Sequence, residues 1–339
     1  MARDASPCKS CAPRRQGLRI GALDPGLPAV VSMGVLPMEA IYRFLAQQNL
    51  PARDPVELPA SPKRFADGGQ YRIEIPSTEG PAALAAVIEE ARARAVPVHR
   101  VSQGSGIMLL TEDEIVRMVE LGRQASIEVN LFIGPRATFD IGAQVYSTAG
   151  RSLGLSLRGA DQLAFALEEV RRAVRLGVRS VLVSDLGALQ LVAKMRAAGE
   201  LPPDLIIKTS VMMAPANPAS ARLLEDLGAN TINIPSDLTL PQIAAMRAAL
   251  DAVIDFYVEA PDNIGGFIRY YEIPELIRVA APIYLKFGLR NAPDVYPSGT
   301  HLEPTVVALS RERVRRAQLA CEIICQYAPD AQMSPAGNL

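Results

Sequence analysis

The sequence predicts a single (β/α)8 barrel, and three observations support this prediction. Short apolar runs recur eight times, helix-like stretches separate them, and each run ends at polar residues, as barrel strands do at the end that carries chemistry. A barrel of this kind takes about 250 residues, so a chain of 339 residues has room for one. The predicted strands are 71–78, 96–103, 128–136, 180–185, 205–212, 231–236, 254–260 and 283–290.

The predicted helices fill the intervals between the strands, and one more precedes them. Thr111 and Glu114 have the spacing of a capping box, which predicts that a helix begins there. The long connection 136–159 after the third strand is typical of a lid or a loop that contacts substrate. The predicted helices are 37–48, 81–95, 112–123, 161–176, 185–198, 218–227, 241–253, 267–280 and 310–327.

This pattern divides the chain into three regions. We expect an N-terminal extension at residues 1–69, the barrel at 70–327 and a disordered tail at 328–339. No apolar run reaches the roughly 18 residues of a membrane span, and the stretch after Arg14-Arg15 is too interrupted for an export signal. The 35 basic and 36 acidic residues balance, which gives no electrostatic attraction to nucleic acid. We therefore expect a cytoplasmic protein that binds neither nucleic acid nor membrane.

Lysine is scarce in this chain, and two of its five lysines lie inside predicted strands. Either Lys208 and Lys286 lie near solvated strand ends, or a compact, titratable ammonium is required there. In each barrel strand, the apolar alternate residues pack on the helices and the others face inward. The residues predicted to face inward are Glu74, Asn130, Lys208, Ser210, Asn233, Asp255, Tyr257, Glu259, Lys286, Gly288 and Arg290, while the phase of the second strand leaves either His99 and Gln103 or Arg100 and Ser102 inside.

An interior this polar has two interpretations. Buried charges are costly unless they are paired or hydrated, so they could form an ion-pair network that merely closes the barrel. The preferred interpretation is a pocket for a small polar or anionic substrate. Glu259 or Glu74 would then be the general base, and Lys286 or Lys208 the acid or electrostatic partner. Arg290 is the candidate clamp for a carboxylate or phosphate. The other candidate substrate contacts are His99, Asn130, Asn233 and Asp185.

Several segments between residues 180 and 296 follow one another in a recognisable order. The run 181–188 ends in Ser184-Asp185-Leu186-Gly187, and 208–212 is followed by an A-R-L-L-E-D-L-G-A segment at 221–229. Further on come I-P-S-D-L-T-L at 234–240, I-P-E-L-I at 273–277 and L-K-F-G-L-R at 285–290. Together these segments resemble the peptidase U32 family of barrel proteins. The resemblance implies a U32-like enzyme, and Lys286 and Arg290 match the family's final motif.

The seventh strand departs from that family. Its signature there is roughly E-x-F-V-H-G-A-x-C-x-x-x-S-G, whereas this chain has Glu259 at the His position and lacks the Cys. Many family members hold an iron–sulfur cluster through barrel cysteines, but no cysteine lies between Cys11 and Cys321 here. The resemblance therefore does not extend to that cluster. Because the family also includes RNA-modifying and hydroxylation-related proteins, a branch with its own small-molecule substrate also fits.

Three functional hypotheses remain open. The first is a hydrolase, peptidase U32-like, that acts on a small molecule or a peptide by acid–base chemistry. The second is a lyase or aldolase that forms a Schiff base on Lys208 or Lys286, as desolvated lysines can. The third is a non-catalytic protein whose barrel supports a complex. A homo-oligomer is compatible with each of them.

The four cysteines form two pairs, Cys8 with Cys11 and Cys321 with Cys325. The second pair is spaced four residues apart on a predicted helix, so both thiols share one helix face. Four thiolates could bind zinc or an iron–sulfur cluster. The alternative is two unrelated pairs, one in a tail and one buried as small hydrophobic residues.

Two further constellations could bind ions. The chain has 2 histidines, which disfavours a His-rich metal centre, but Glu74, His99, Asp185 and Glu259 could form a carboxylate-rich divalent site. The glycine-rich segment 102–106 after the second strand is either a simple turn or a loop that cradles an anion with its backbone N–H groups.

Overall fold

Eight parallel strands close into a barrel in the computed structural model, which describes residues 37–134 and 155–335. Neighbours along the chain pair in order, and β1 pairs with β8 to close the sheet. The predicted (β/α)8 fold is therefore confirmed. The strands are β1 (Tyr71–Pro76), β2 (Arg100–Gln103), β3 (Glu128–Phe132), β4 (Ser180–Val183), β5 (Ile206–Thr209), β6 (Thr231–Asn233), β7 (Val253–Glu259) and β8 (Ile283–Phe287).

A helix follows every strand, and one more precedes β1. Thr111 caps its helix with the predicted capping box, and Thr239 forms a second capping box with Gln242. Asn217 caps another helix, which has proline in its first turn, where no N–H is needed. The helices are α1 (Pro37–Gln47), α2 (Pro81–Ala93), α3 (Glu112–Ala125), α4 (Gly159–Arg175), α5 (Leu186–Ala197), α6 (Pro218–Asp226), α7 (Leu240–Ala249), α8 (Ile273–Ala280) and α9 (Glu303–Tyr327).

Two helices begin six or more residues away from the start that the sequence indicates. α8 begins at Ile273 and not at residue 267, because Ile268 forms an antiparallel bridge with Glu259 and Tyr270–Glu272 is a short 3-10 helix. α9 begins at Glu303, seven residues before the predicted start at 310, with a proline in its first turn. Most strands end earlier than predicted, since the polar residues that follow them belong to loops.

The hydrophobic core lies between the strands and the surrounding helices. Alternate strand residues such as Ile73, Val101 and Ile207 are fully buried there, against helix residues such as Leu84 and Val192. Burial of this apolar layer is the main favourable term in folding. No helix in residues 37–134 and 155–335 has the length and apolar character needed to cross a membrane.

The C-terminal segment closes the end of the barrel at which the strands begin. Met333 forms a parallel bridge with Tyr71, and the Ser334 N–H donates to the Tyr71 carbonyl at 3.1 Å. A Cβ atom on Gly69 would lie 2.7 Å from the Ser334 nitrogen, so this close approach requires glycine. The predicted disorder of residues 328–339 is therefore wrong for residues 328–335, and 336–339 lie outside the described residues.

Contacts divide the chain into two units, Met1–Ala40 and Ile41–Leu339, and the barrel lies within the second. Within the proposed extension of residues 1–69, the predicted helix is present as α1. Residues 1–36 and 135–154 lie outside the description, and with them the greater part of the proposed lid at 136–159.

Candidate functional site

Five charged side chains meet inside the barrel and are buried from solvent. They come from five strands of the barrel, and register places Glu74 of β1 level with Arg100 of β2 and with Lys286 of β8. Inward-facing positions of β5 and β7 supply the other two. The five residues are Glu74, Arg100, Lys208, Asp255 and Lys286, and we refer to them as the interior cluster.

Glu74 is the carboxylate that the three cations of the interior cluster share. Its Oε1 accepts a short hydrogen bond from the Lys208 ammonium and lies 3.6 Å from Lys286 Nζ. Its Oε2 accepts from Arg100 Nη1 at 3.2 Å, and Ser102 Oγ donates to Oε1 at 2.7 Å. A buried carboxylate with this many donors is held in its ionised form.

Asp255 and Glu128 compensate the remaining positive charge. Asp255 Oδ1 lies 3.0 Å from Arg100 Nη1, and Asp255 Oδ2 lies 3.9 Å from Lys208 Nζ. Glu128, at the start of β3, pairs with Arg100 Nε at 3.0 Å. The Arg100 guanidinium also stacks on the Tyr284 ring, 3.6 Å from its centroid. Three cations therefore face three carboxylates, as an enclosed set of charges requires.

Lys286 lies next to the polar residues of β6 and β7. Its ammonium donates to Asn233 Oδ1 at 2.7 Å and stands 4.0 Å from the centroid of the Tyr257 ring. The Asn233 amide donates to the Thr209 carbonyl at 2.6 Å, which fixes the side-chain oxygen toward Lys286. Of the two interior lysines, Lys286 keeps 4% of its side chain exposed and Lys208 keeps 0%.

Burial changes the pKa values of side chains in the interior cluster. Desolvation lowers the pKa of Lys208 to about 7, although the charge of Glu74 opposes that change. Burial likewise lowers the pKa of Lys286. For Glu74, burial favours a higher pKa, but the charges of Lys208, Lys286 and Arg100 outweigh it and hold the pKa well below its usual value. The cluster therefore combines an ionised carboxylate with an amine that gains or loses a proton near neutral pH.

Of the two alternatives for the second strand, the structure shows the one in which Arg100 and Ser102 face the barrel interior. His99 precedes β2 and lies at the end of the barrel where the strands begin. Its Nδ1 accepts from the Ile73 N–H at 3.1 Å, and its Nε2 bonds the Ser334 carbonyl at 2.9 Å. Burial lowers the pKa of this imidazole. His99 therefore anchors the C-terminal segment and lies away from the interior cluster.

Glu259 faces the helices, not the barrel interior. A bulge between Tyr257 and Glu259 shifts the register, so Tyr257 pairs with Lys286 while Glu259 pairs with Phe287. Glu259 accepts from the Tyr270 hydroxyl at 2.9 Å and lies 3.7 Å from Arg316 Nε on α9. The predicted inward orientation is wrong, because one extra residue moves a side chain to the opposite face.

Arg290 also lies outside the interior. β8 ends at Phe287, so strand alternation does not continue to this residue. The Arg290 side chain is 49% exposed, and its Nε donates to Asp262 Oδ1 at 2.9 Å. Its backbone N–H donates to Glu259 Oε1 at 3.0 Å. The inward orientation predicted for Arg290 is wrong, and its role as a substrate clamp stays a prediction.

The remaining predicted contacts divide between the interior and the rim. The Asn130 amide donates to Ser180 Oγ at 2.7 Å inside the barrel. Asp185 lies at the end of β4, where it caps α5 by accepting from the Ala188 N–H at 2.9 Å, and it also accepts from the Leu157 N–H at 3.1 Å. Asp185 therefore has a structural role at the end of the barrel where the strands end.

The backbone N–H groups of the glycine-rich loop bind a carboxylate of the same chain. The Glu79 carboxylate accepts from the Gly104 N–H at 2.7 Å and from the Ser105 N–H at 3.0 Å. Gly104 is required because an added Cβ would lie 2.4 Å from the Tyr296 ring. The loop is thus held by Glu79 next to the ends of β1 and β2.

The predicted divalent site does not form. Within residues 37–134 and 155–335, no three His, Cys, Asp or Glu side chains group as metal ligands, so Glu74, His99, Asp185 and Glu259 do not converge. Cys321 packs against the core, and burial raises the pKa of its thiol to about 11. Cys325 is exposed. Cys8 and Cys11 lie outside the described residues, so the four-cysteine zinc or iron–sulfur site stays a prediction.

In the part of the chain that the structure describes, two prominent clefts open at the end of the barrel where the strands end. The first, of about 370 Å³, lies beyond β4 and β5 and is lined by Ser184, Asp185, Met212 and Met213. The second, of about 440 Å³, lies beyond β1, β7 and β8 and is lined by Ser77, Asp262, Tyr296 and Arg313. Active sites of (β/α)8 enzymes lie at this end. We call the second cleft the β7–β8 cleft.

Sequence reasoning missed Arg313, although a signal was present. Val306, Ser310, Arg313 and Ala317 recur at helical spacing along α9, and all four are buried. An arginine on the apolar stripe of a helix is unusual enough to mark a candidate site. The predicted start of this helix at residue 310 hid the first part of the stripe.

A family profile supports the resemblance seen in the sequence. The profile of Peptidase family U32 matches residues 155–260. Similar solved structures include a U32 peptidase, at 16% identity over 69% of this chain and 98% of that one, with a TM-score of 0.41. A D-psicose 3-epimerase from Clostridium cellulolyticum H10 shares 12% identity over 76% of this chain and 98% of that one, with a TM-score of 0.43. No curated protein matches the chain significantly.

Proposed function

We propose that this protein is a U32-like barrel enzyme that acts on a small polar or anionic substrate by acid–base chemistry. One observation carries the proposal: the Lys208 amine, with a pKa of about 7, shares the ionised Glu74 with Lys286 inside the barrel. An acid–base group works best when its pKa lies near the operating pH. The family match at residues 155–260 supports a U32-like assignment.

The two lysines differ in the roles that their surroundings favour. Lys286 is the more exposed of the two and contacts Asn233 and Tyr257. We therefore assign Lys286 as the group that contacts the substrate. Lys208 bonds to Glu74, whose charge opposes the loss of the Lys208 proton, so we assign Lys208 as the group that gains or loses a proton near neutral pH. Glu74 stays ionised and stabilises whichever lysine is charged. Glu259 is left out of this set because it contacts Tyr270 and Arg316.

A Schiff-base lyase or aldolase is the second candidate, and the same pKa favours it. An amine that is largely neutral above pH 7 is a nucleophile for carbonyl carbons. Borohydride treatment in the presence of small ketones and aldehydes distinguishes the two candidates. A covalent adduct at Lys208 or Lys286, located by mass spectrometry, supports the lyase, and the absence of any adduct removes it.

The test of the acid–base proposal is turnover of a defined mixture of dipeptides, hydroxy acids, keto acids and sugar phosphates, followed by NMR. Lys208→Met and Lys286→Met should each lower the rate by about 100-fold or more. Lys194→Met is the matched control, because Lys194 is exposed on α5. Full activity in both interior variants would refute the proposal. If the wild type turns over nothing and both variants rescue a gene deletion, the barrel is non-catalytic.

A further inference from the structure

Arg313 is a buried cation without a carboxylate partner among the described residues. The residue is 4% exposed. Its Nη1 donates to the Ser77 carbonyl at 3.2 Å, while its Nε finds no acceptor in residues 37–134 and 155–335. Glu79 acts on it only at longer range, and that carboxylate already accepts two backbone N–H groups. A neutral carbonyl is therefore the single described acceptor of this guanidinium.

An unpaired buried charge is costly, and the barrel shows how it is otherwise avoided. Arg100 has three carboxylates around it, and they raise its pKa well above the usual value despite burial. Arg313 lacks such compensation, so burial lowers its pKa. Truly isolated buried cations are rare, because removing a charged group from water is unfavourable unless a partner compensates it. The arrangement at Arg313 is that of a site completed by an anion.

Arg313 is accessible to an anion because it lines a cleft. Arg313 lines the β7–β8 cleft together with Ser77 and Tyr296, whose hydroxyls bond to each other. Arg247, another buried arginine with nitrogens that have no hydrogen-bond acceptor among the described residues, does not line either cleft described above. Burial alone therefore does not distinguish Arg313; its access to a cleft does.

Carboxylates also line the cleft, but each already has a hydrogen-bond donor, which limits its repulsion of an anionic ligand. Asp262 accepts from Arg290 Nε at 2.9 Å and from the Asn291 N–H at 2.5 Å. Asp294 accepts from the Tyr296 N–H at 3.1 Å. Both lie in the loops at the rim, whereas Arg313 comes from α9 and is buried. A ligand would thus present its anionic group to Arg313 and its polar remainder to the rim.

One aromatic side chain neighbours both Arg313 and a lysine of the interior cluster. Tyr257 lies within electrostatic range of Arg313, and its ring lies 4.0 Å from Lys286 Nζ. Tyr257 therefore separates the anion-binding cation from the lysine that we assign to the chemistry.

We propose that the β7–β8 cleft binds a carboxylate or phosphate group of the substrate, with Arg313 as the anchor. This inference rests on the proposed function in taking the bound molecule to be the substrate. Binding is measured without turnover, so either proposal can fail alone. A charge-assisted hydrogen bond of this kind contributes enough that its loss weakens binding about 10- to 100-fold.

The experiment is calorimetric titration with inorganic phosphate and with succinate, which separates a phosphate site from a carboxylate site. Arg313→Gln keeps a donor for the Ser77 carbonyl but removes the charge, and it should raise Kd by about 10- to 100-fold. Arg311→Met is the matched control, since Arg311 lies on the same helix but is exposed and pairs with Glu89 and Glu90. Its Kd should equal that of the wild type.

Binding that is unchanged in Arg313→Gln, or absent from the wild type for both anions, would overturn the inference. If Arg313→Gln does not fold, Arg313→Met replaces it, and an unchanged Kd for both anions would be equally contradictory, because methionine removes both the charge and the N–H donors of the guanidinium. Loss of turnover in the lysine variants with intact phosphate or succinate binding leaves the anion site standing. Intact turnover in those variants refutes only the proposed function.

Discussion

Replacing Glu74 by Gln should destabilise the fold far more than its small change in shape suggests. The amide can keep the contact with Ser102, but Lys208, Lys286 and Arg100 lose a shared negative charge inside the barrel. Removing one partner of a buried ion pair costs about 3–5 kcal/mol. We expect the free energy of unfolding from urea titrations at pH 8 to fall by this amount. Glu168→Gln, on an exposed pair with Arg171, should cost about 0–1 kcal/mol.

The pH dependence of that cost identifies its origin. Without Glu74, the pKa of Lys208 drops below its present value of about 7. Below pH 7 the wild type therefore binds a proton that the folded variant does not, while both unfolded chains bind it. The difference in the free energy of unfolding between the wild type and Glu74→Gln should therefore grow by about 1 kcal/mol as the pH falls from 7 to 6. In the double variant Glu74→Gln/Lys208→Met, part of the stability should return. The reasoning would be refuted if Glu74→Gln lowered the free energy of unfolding by no more than Glu168→Gln does, both at pH 7 and at pH 6.

Two further outcomes follow from the contacts around the cluster. Glu79→Gln should speed amide exchange at Gly104 and Ser105, measured by hydrogen–deuterium exchange, because the charged acceptor of both N–H groups is lost; unchanged exchange at both amides would contradict the assigned contact. Glu259→Gln should lower the free energy of unfolding by about 1–3 kcal/mol, because Tyr270 and the Arg290 N–H lose a charged acceptor. Turnover should persist in that folded variant, and its complete loss would place Glu259 back in the chemistry.

The barrel could be predicted because its signal is repeated. Eight apolar runs and the helices between them give many independent indications of one fold, so errors of a few residues at element ends do not change the result. The inward positions of Glu74, Lys208 and Lys286 could be predicted for a similar reason, since each directly follows an apolar residue, Ile73, Ile207 or Leu285, that packs on the helices.

The rest of the site depends on local events that strand alternation does not encode. A one-residue bulge turns Glu259 toward α9, and the end of β8 at Phe287 releases Arg290 to the rim. His99 falls outside β2 because that strand begins one residue later. Arg313 comes from the last helix, and only the packing of α9 brings it to the ends of β1, β7 and β8. Such placements depend on tertiary contacts.

The protonation of Lys208 tests the central claim most directly, and the scarcity of lysine makes the measurement practical. The chain has five lysines, Lys9, Lys63, Lys194, Lys208 and Lys286, so a protein labelled with ¹³C at the lysine Cε gives a spectrum that one Lys208→Met variant can assign. We predict that the resonance absent from this variant titrates with a pKa of about 7. A Lys208 resonance that titrates near the ordinary lysine value of about 10.4 would contradict the account.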